Sequence, residues 1–484
     1  MAVTQQVYQL VIDGRDAGAV SGRTATVLNP ATGEAVASVP VADEQDVHRA
    51  VMAARRAFED GPWSRMPASE RGRVLMCIAR LLRERVESLA RLEVQHSGKP
   101  IRDARAEVLA AGECFEYYAG AATKWVGETI PVTDRGLDFT LREPVGVVGL
   151  IVPWNFPLMI AAWKVAPALA VGNTAVLKPA SATPLTALAL GTLALEAGVP
   201  AGVLNVITGP GATAGMALVR DPSVGKVAFT GETKTGIEIM KAAADTMTRV
   251  SLELGGKSAN VIFADADLAR AIPGAIAAVF SNAGQDCCAR SRIFIERSIY
   301  DRVVGVLVEE TKRLRTGDPL QEETQIGSLI SHSHRDRVRG YIELGAREGA
   351  EVLCGGRQPD DPALVRGAYL LPTILGGVGN AMRVAQEEIF GPVACAIPFP
   401  DEADVVRMAN DSPYGLSASI WTRDLGRALR TARAIRSGVV SVNSNHSVHQ
   451  EAPFGGMKMS GFGRELSMHA LELYTEVKNV FIAE

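Results

Sequence analysis

The spacing of hydrophobic and polar positions changes several times along the chain. Residues 1–45 alternate over short runs that are typical of strands, and a helical period follows over 43–58. Helices are also predicted over 69–95, where leucines recur at helical spacing, and over 104–124. Residues 129–142 alternate instead, which predicts a two-stranded ribbon projecting from the main body.

From residue 145 onward, short apolar runs alternate with helical stretches. The predicted strands are 145–152, 174–177, 203–207, 226–229 and 249–253, and the helices between them are 157–171, 184–197, 212–219 and 234–246. This alternation predicts a doubly wound parallel sheet, which binds ligands beyond the carboxyl ends of its strands. A second alternating region covers about 258–441, and the last run, 472–482, is expected to be an exposed edge strand.

Length and composition narrow the class of protein. The 484 residues are too many for one core, so two or three domains are expected. The hydrophobic share of 47%, the charged share of 21% and the net charge of −4 favour neither nucleic acid nor a membrane as a partner. The six cysteines fit neither a disulfide framework nor a metal site, and the first residues show no signal sequence. A reducing, cytoplasmic compartment is therefore expected.

The stretch 281–290 carries two adjacent cysteines, Cys287 and Cys288, on a predicted loop between a helix and a strand. A thiol on a loop between rigid elements is well placed to act as a nucleophile. Most single cysteines in a globular chain only fill space in the interior, so this stretch does not decide the function alone.

Two kinds of loop in the first region suit a dinucleotide. Thr208 to Gly215 is glycine-rich, and with a second turn of this kind at Gly231 it is suited to a pyrophosphate at a helix N-terminus. Each turn by itself also fits an ordinary tight turn. Lys178 ends a predicted strand, where its side chain would lie close to the ribose or phosphate of a bound dinucleotide. The alternative is a surface lysine that is exposed to solvent.

Glu253 and Asn155 are candidates for the remaining chemistry. Glu253 stands between two leucines at a strand end, and apolar surroundings raise a carboxyl pKa toward the range that a general base needs. Asn155 offers an amide to a developing oxyanion. The alternatives are a glutamate bonded to backbone amides and an asparagine that caps the following helix.

Seven motifs together resemble the aldehyde dehydrogenase superfamily, in family order and across essentially the whole chain. They are Pro153-Trp-Asn-Phe-Pro157, Lys178-Pro-Ala, Phe229-Thr-Gly, Leu252-Glu-Leu-Gly-Gly-Lys257, Gly284-Gln-x-Cys287, Glu387-Glu-Ile-Phe-Gly-Pro392 and Pro453-Phe-Gly-Gly456. The resemblance implies an α/β fold. A Rossmann-like parallel-sheet cofactor domain is expected from 1–125 and 145–255, a second α/β catalytic domain from 256–460, and a small β-ribbon oligomerisation element from 126–144 and 461–484.

The resemblance also implies roles, position by position. Cys287 matches the nucleophile, Glu253 the general base, and Asn155 with the backbone amide of Cys287 the oxyanion hole. The positions expected to contact NAD or NADP are Trp154, Lys178, Ser181, Gly211, Gly231, Glu232, Leu254, Glu388 and Phe390. The positions expected to line the aldehyde tunnel are Phe156, Trp163, Asp286, Glu451 and Phe454.

The implied reaction is NAD(P)-dependent oxidation of an aldehyde to a carboxylic acid through a thioester on Cys287. Glu253 activates the hydrolytic water, which argues against acyl transfer to coenzyme A. The set of Cys287, Glu253 and Asn155 argues against a catalytically silent structural member. Two positions depart from the family. Glu232 replaces a small hydroxyl residue, and Ser181 replaces the glutamate of strictly NAD-using members, which predicts use of NADP as well as NAD.

Two acids, Asp286 and Glu451, predict an aldehyde with a cationic tail, and residues 282–287 resemble aminobutyraldehyde dehydrogenases. The alternative is that Asp286 bonds backbone amides and Glu451 is solvated, which leaves a broad aliphatic or aromatic aldehyde or semialdehyde dehydrogenase. The ribbon and the last strand resemble the family's oligomerisation elements, so a homodimer or a tetramer is expected.

Overall fold

The computed structural model describes residues 6–484, so the start of the first predicted domain, residues 1–5, lies outside the described residues. Within 6–484, an eight-stranded and a seven-stranded sheet each form the centre of an α/β body, and a separate three-stranded sheet forms a ribbon. The predicted α/β class, with two parallel-sheet bodies and a small ribbon, is confirmed.

Most elements of the first body come from the first half of the chain. Its helices are α1 (Glu44–Glu59), α2 (Ala68–Glu84), α3 (Val86–Ser97), α4 (Ile101–Ala121), α5 (Pro157–Ala170), α6 (Leu185–Glu196), α7 (Met216–Arg220) and α8 (Thr233–Ala243). The strands of this half, including two of the ribbon, are β1 (Gln6–Val7), β2 (Leu10–Ile12), β3 (Arg15–Ala17), β4 (Thr24–Leu28), β5 (Ala35–Pro40), β6 (Thr129–Ile130), β7 (Gly136–Pro144), β8 (Val147–Ile151), β9 (Thr174–Lys178), β10 (Leu204–Val206), β11 (Val224–Thr230) and β12 (Arg249–Glu253).

The second half of the chain supplies the second body and two returning strands. Its helices are α9 (Leu268–Phe280), α10 (Tyr300–Lys312), α11 (His332–Arg347), α12 (Arg383–Gln386), α13 (Glu402–Asn410), α14 (Leu425–Ala434) and α15 (His469–Glu472). Its strands are β13 (Ala259–Ile262), β14 (Arg292–Glu296), β15 (Glu351–Cys354), β16 (Thr373–Gly376), β17 (Val393–Phe399), β18 (Tyr414–Gly415), β19 (Ser417–Trp421), β20 (Val439–Val442), β21 (Met457–Lys458), β22 (Gly461–Phe462) and β23 (Thr475–Ala483).

Two predicted helices differ from the structure. The single helix expected over 69–95 is wrong, because Arg85 has φ −112° and ψ 20° and separates α2 from α3. No proline or glycine marks this break in the sequence. The helix expected over 212–219 begins instead with a wide π turn, Gly211–Gly215, and continues as α7.

The first sheet has the strand order β22-β12-β11-β8-β9-β10-β2-β3. The chain runs from β8 to β9 and β10 on one side, then returns to β11 and β12 on the other side of β8. A crevice opens at the carboxyl end of a parallel sheet where the strand order reverses in this way. The loop after β8 carries Trp154 and Asn155, so the fold places the Pro153–Pro157 motif at this crevice.

The second sheet has the order β15-β16-β17-β14-β13-β19-β20 and is parallel apart from β15. After it the chain returns to the first body. Strand β22 pairs with β12, and Leu466 and Leu471 lie in the first core. The predicted segment 461–484 is therefore divided between an edge of the first sheet and the ribbon.

The ribbon consists of β6, β7 and β23, with β7 in the middle and antiparallel to both neighbours. Its two long strands keep large apolar side chains exposed: Leu137 by 50%, Val477 by 56% and Ile482 by 54%. The last run is thus an exposed edge strand, as predicted. No helix within residues 6–484 has the length and apolar character needed to cross a membrane.

Candidate active site

The loop that carries the two cysteines has an unusual backbone. After α9, Asn282, Ala283 and Gly284 have φ values of 51°, 54° and 70° in succession. The left-handed region is unfavourable for residues other than glycine and persists only where neighbours hold it. Here the Gln285 side chain does so, since its Oε1 accepts a 2.9 Å hydrogen bond from the backbone N–H of Ile330. The cysteines therefore follow a rigid turn.

Two cavities meet at Cys287. A cavity of about 570 Å³ opens on one side of the thiol, and a cleft of about 280 Å³ opens on the other, at the crevice of the first sheet. Within residues 6–484, Cys287 is the one residue that lines both. Cys288 is buried and lines only the larger of the two cavities. Cys287 is therefore the thiol positioned between the two cavities.

The surroundings of Cys287 favour its protonated form. The Cys287 and Cys288 thiols and the Asp286 carboxylate lie within 4.8 Å of one another. The hydrogen bond with Cys288, then burial, raise the pKa of the Cys287 thiol well above its usual range. A thiolate is the nucleophilic form, so a nucleophilic role would require Cys287 to lose this proton.

Asn155 directs its side chain toward the cysteine loop. Its Nδ2 donates to the carbonyl oxygen of Gln285 at 3.1 Å, two residues before Cys287. This nitrogen carries two hydrogens, so one N–H is left for an oxygen bound at the sulfur. The helix that follows has Phe156 at its N-cap and no capping side chain, so Asn155 does not cap α5.

Glu253 lies at the end of β12 and is 4% exposed. Both of its carboxylate oxygens are buried and have no hydrogen-bond partner among residues 6–484. The alternative prediction, a glutamate bonded to backbone amides, is therefore wrong. Burial, then the neighbouring Glu465 carboxylate, raise the pKa of Glu253 well above its usual range. Glu465 is itself ion-paired to the buried Lys164. An unpartnered carboxyl group at the cleft can take a proton from water.

The smaller cleft is lined by six of the nine residues predicted to contact a cofactor. These are Trp154, Gly231, Glu232, Leu254, Glu388 and Phe390. The Glu388 carboxylate accepts a 2.9 Å bond from the N–H of Gly256, and burial raises its pKa to about 7. The rings of Trp154 and Phe390 meet edge to face at 5.2 Å and wall the cleft beside Cys287.

The other three predicted cofactor contacts, Lys178, Ser181 and Gly211, do not line this cleft. They lie together beyond the neighbouring strands β9 and β10, where Ser181 Oγ donates to the carbonyl oxygen of Gly209 at 3.0 Å. Lys178 is buried rather than solvated. Its Nζ donates to the carbonyl oxygen of Pro179 at 2.7 Å, and burial lowers its pKa to about 8.

All five predicted tunnel residues line the larger cavity. Trp163 and Phe454 face each other with ring centroids 5.3 Å apart. Asp286 lies beside the cysteines and accepts a 2.8 Å bond from the N–H of Cys288, and Glu451 is exposed at the mouth. Burial raises the pKa of Asp286.

Sequence reasoning missed several residues of both cavities. In the cleft these are Ile330, Ser331, His334 and Arg337, which come from α11 and the segment before it, where no motif stands. In the larger cavity they include Glu113 and Glu116 of α4, Met159, Arg290 and the segment 445–450. The sequence carried one signal for Arg290, because a residue three positions after Cys287 is kept near that thiol by the chain itself.

Comparison with known proteins identifies the family of this chain. The model of the aldehyde dehydrogenase family matches residues 18–480. The chain belongs to the aldehyde dehydrogenase family. It is 44% identical over 474 residues to the betaine aldehyde dehydrogenase of Bacillus subtilis (strain 168), with 98% of this chain and 96% of that protein covered.

Two crystal structures are also close to this dehydrogenase. An NAD-dependent aldehyde dehydrogenase from Sinorhizobium meliloti has a TM-score of 0.97 and 43% identity, with 99% of this chain and 95% of that chain covered. Betaine aldehyde dehydrogenase from Staphylococcus aureus in complex with NAD+ has a TM-score of 0.96 and 39% identity, with 98% and 94% covered.

Proposed function

We propose that this aldehyde dehydrogenase oxidises aldehydes to carboxylic acids with NAD(P)+, with Cys287 as the nucleophile. The observation that carries the assignment is the position of Cys287 between two cavities. An aldehyde in the larger cavity and a nicotinamide in the cleft then approach one sulfur atom from opposite sides. When bound, the cofactor accepts the hydride that leaves the aldehyde carbon.

The cleft suits a dinucleotide by its shape and its donor set. A Cβ at Gly231 would collide with the Phe229 ring, and a Cβ at Gly255 would collide with the Glu388 carboxylate, so this packing of the cleft wall requires glycine at both positions. Glu388 offers acceptors for ribose hydroxyls. The S. aureus relative is described as an NAD+ complex, which supports the same cofactor here.

The residues divide the reaction between them. The Cys287 thiol releases its proton to solvent water in the larger cavity as its sulfur bonds the carbonyl carbon, and the carbonyl oxygen becomes an oxyanion. The Nδ2 of Asn155 and the N–H of Cys287 donate to that oxygen. After the hydride has left, the acyl group is a thioester on Cys287. Glu253 then removes a proton from water as the water oxygen attacks, the carbon–sulfur bond breaks, and the carboxylate departs.

The test is reduced-nicotinamide absorbance with a panel of aldehydes. Cys287→Ala should abolish oxidation while cofactor binding persists, and Cys288→Ala should keep substantial turnover, since the buried Cys288 does not line the cofactor cleft. Loss of turnover in Cys288→Ala with activity retained in Cys287→Ala would overturn the assignment.

We also propose that the chain forms a homodimer or a tetramer through the ribbon, whose exposed apolar strands need cover. The substrate beyond the aldehyde group stays a prediction. Asp286 and Glu451 both line the larger cavity, as a cationic substrate requires. The amide contact of Asp286 and the exposure of Glu451 also agree with the broad-specificity alternative.

A further inference from the structure

Arg290 is a buried cation in the wall of the larger cavity. Its relative exposure is 4%, and it lies three residues after Cys287. Its Nη2 donates to Ser447 Oγ at 2.5 Å, while its Nε is buried with no acceptor among residues 6–484. A guanidinium stays charged at any physiological pH, and burying a charge without a partner is unfavourable. The position therefore calls for an acceptor.

The protein does not supply that acceptor as an ion pair. In the described part of the chain, no carboxylate oxygen lies within 4.0 Å of the Arg290 guanidinium. Asp286 is on the same loop, but its Oδ1 is bonded to the N–H of Cys288. Burial raises the pKa of Asp286, and the charge of Arg290 offsets this only in part. Asp286 is therefore not a close counter-ion of Arg290.

A second hydrogen-bond donor in the same cavity wall also lacks an acceptor. The indole Nε1 of Trp163 is buried without an acceptor within residues 6–484, and Trp163 lines the cavity with Arg290. Unsatisfied buried donors are uncommon in folded proteins, and each one needs an explanation. Arg290 and Trp163 thus place two unsatisfied donors in one wall of the larger cavity.

We propose that Arg290, together with Trp163, binds a carboxylate at the far end of the substrate, so that this enzyme prefers oxo acids, which are aldehydes with a carboxylate on the same carbon chain. The assignment rests on the proposed function. An arginine can hold a carboxylate through two parallel N–H bonds, which fixes the orientation of the chain as well as its charge.

The acids at the mouth weaken this preference only slightly. Glu113 and Glu451 are exposed, and Glu116 is ion-paired to Arg83. Solvent and salt screen exposed charges, whereas Arg290 acts on the substrate inside a buried wall.

The experiment compares kcat/KM for three four-carbon probes, 4-oxobutanoate, butanal and 4-aminobutanal, at saturating cofactor. Two-, three- and five-carbon oxo acids with their matched aldehydes give the preferred length. The wild-type enzyme should favour an oxo acid over its matched aldehyde by roughly tenfold or more, because hydrogen bonds to charged groups are strong. Arg290→Met should lower that ratio by roughly ten- to a hundredfold.

Three further variants separate binding from structure. Arg290→Lys keeps the charge and should recover part of the ratio. Ser447→Ala leaves the guanidinium but removes its hydrogen-bond partner in the protein. The kcat/KM ratio of oxo acid to aldehyde should persist in this variant if Arg290 binds the substrate. It should be lost if Arg290 only holds the segment 445–450 in place. Trp163→Phe keeps a ring and should lower the ratio less than Arg290→Met does.

The outcomes distinguish this proposal from the proposed function. If no aldehyde reduces NAD or NADP, the proposed function fails. If butanal is oxidised and the oxo acids are no better, or if 4-aminobutanal is best and Asp286→Asn alone removes that preference, the role of Arg290 is wrong.

Discussion

Lys99 Nζ donates a 2.9 Å hydrogen bond to the backbone carbonyl oxygen of Asn155. The same oxygen accepts a 2.9 Å bond from Asn282 Nδ2, so a lysine of the first body and the cysteine loop fix one peptide unit between them. Lys99 is ion-paired to Glu107, and both are buried. Glu107 in turn accepts from the N–H of Met159 in the first turn of α5. These bonds fix the backbone of Asn155 beside the cysteine loop, to which its side-chain Nδ2 is also bonded.

Lys99→Met should lower kcat by roughly ten- to a hundredfold, because a small misplacement of a catalytic donor has effects of this size. Cofactor affinity should change little, since Lys99 does not line the cofactor cleft. The measurements are steady-state kcat and the single-turnover rate of reduced-cofactor formation, each with an aldehyde that carries hydrogen or deuterium at the reacting carbon. A larger isotope effect on kcat is expected, because hydride transfer becomes slower relative to hydrolysis.

The matched control for this variant is Lys99→Met combined with Glu107→Leu. The single change leaves a buried charge without its partner, and the double change removes both charges, so the double variant should regain thermal stability. Its kcat should stay low, because the bond to Asn155 is still missing. Recovery of kcat together with stability would show that Lys99 acts only on the fold.

Glu253→Gln should accumulate the thioacyl enzyme, because only the water step needs the base. The trace should show a burst of about one reduced cofactor per site followed by slow turnover. Since the pKa of Glu253 is raised, wild-type hydrolysis should become faster as pH increases through that pKa, where the carboxylate forms. In Glu253→Gln the slow rate should be independent of this ionisation. An unchanged steady-state rate would assign the base to another group.

Glu465 offers a way to shift that profile. Its carboxylate is one of the causes of the raised pKa of Glu253. Glu465→Gln removes the negative charge and leaves Lys164 unneutralised, and both changes favour the ionised form of Glu253. The acid limb of the hydrolysis rate should therefore move to lower pH. A shift to higher pH would contradict the electrostatic coupling.

Ser181 should permit NADP to be used beside NAD. It is exposed and bonded to the carbonyl oxygen of Gly209, and no carboxylate stands at this position to repel a 2′-phosphate. Ser181→Glu should lower kcat/KM for NADP by roughly tenfold or more, since close like charges repel by about 1 kcal/mol or more. The value for NAD should change less. A wild-type preference for NAD above about a thousandfold, roughly 4 kcal/mol, would show that another feature excludes the phosphate.

The ribbon should mediate self-association. Sedimentation at micromolar concentration should give a mass of two or four chains rather than one chain of 51.3 kDa. Replacing Val477 and Phe481 on the exposed edge strand by lysine should shift the mass toward the monomer. Met247→Lys is the control, since Met247 is 88% exposed and lies outside the ribbon. A wild-type monomer would contradict the proposal.

The sequence predicts what repeats along the chain or clusters in motifs. Alternating strands and helices led to the doubly wound sheet, and the strand ends then brought Asn155 and Glu253 to one crevice with Cys287. The break at Arg85 was missed because its residue type carries no signal. The position of the break depends on how α2 and α3 pack, and local helix propensity gives no information about packing.

Contacts between segments that are distant in the chain also could not be predicted from the sequence. The ion pair of Lys164 with Glu465 spans 301 positions. His334, whose Nε2 is 2.7 Å from the carbonyl oxygen of Phe390, reaches the cofactor cleft from a helix without a motif. Such residues become visible only when the two bodies are placed against each other.

Cofactor affinity should be highest in a narrow pH range between two ionisations. Burial raises the pKa of Glu388 to about 7 and lowers that of Lys178 to about 8. Glu388 accepts hydrogen bonds best as a carboxylate, so a cofactor that donates ribose hydroxyls to it binds the deprotonated form. Affinity should therefore fall as pH decreases below about 7. Lys178 attracts a phosphate only when protonated, so affinity should also fall above about 8.

The measurement is the Kd for NAD from pH 6 to 9, followed by protein fluorescence with Cys287→Ala to prevent turnover. Glu388→Gln should weaken binding and abolish the acid limb, because an amide does not ionise in this range. Lys178→Met should abolish the alkaline limb alone. Two results would contradict these roles in cofactor binding. One is loss of the alkaline limb in Glu388→Gln and of the acid limb in Lys178→Met. The other is a Kd that is constant from pH 6 to 9 when both side chains are present.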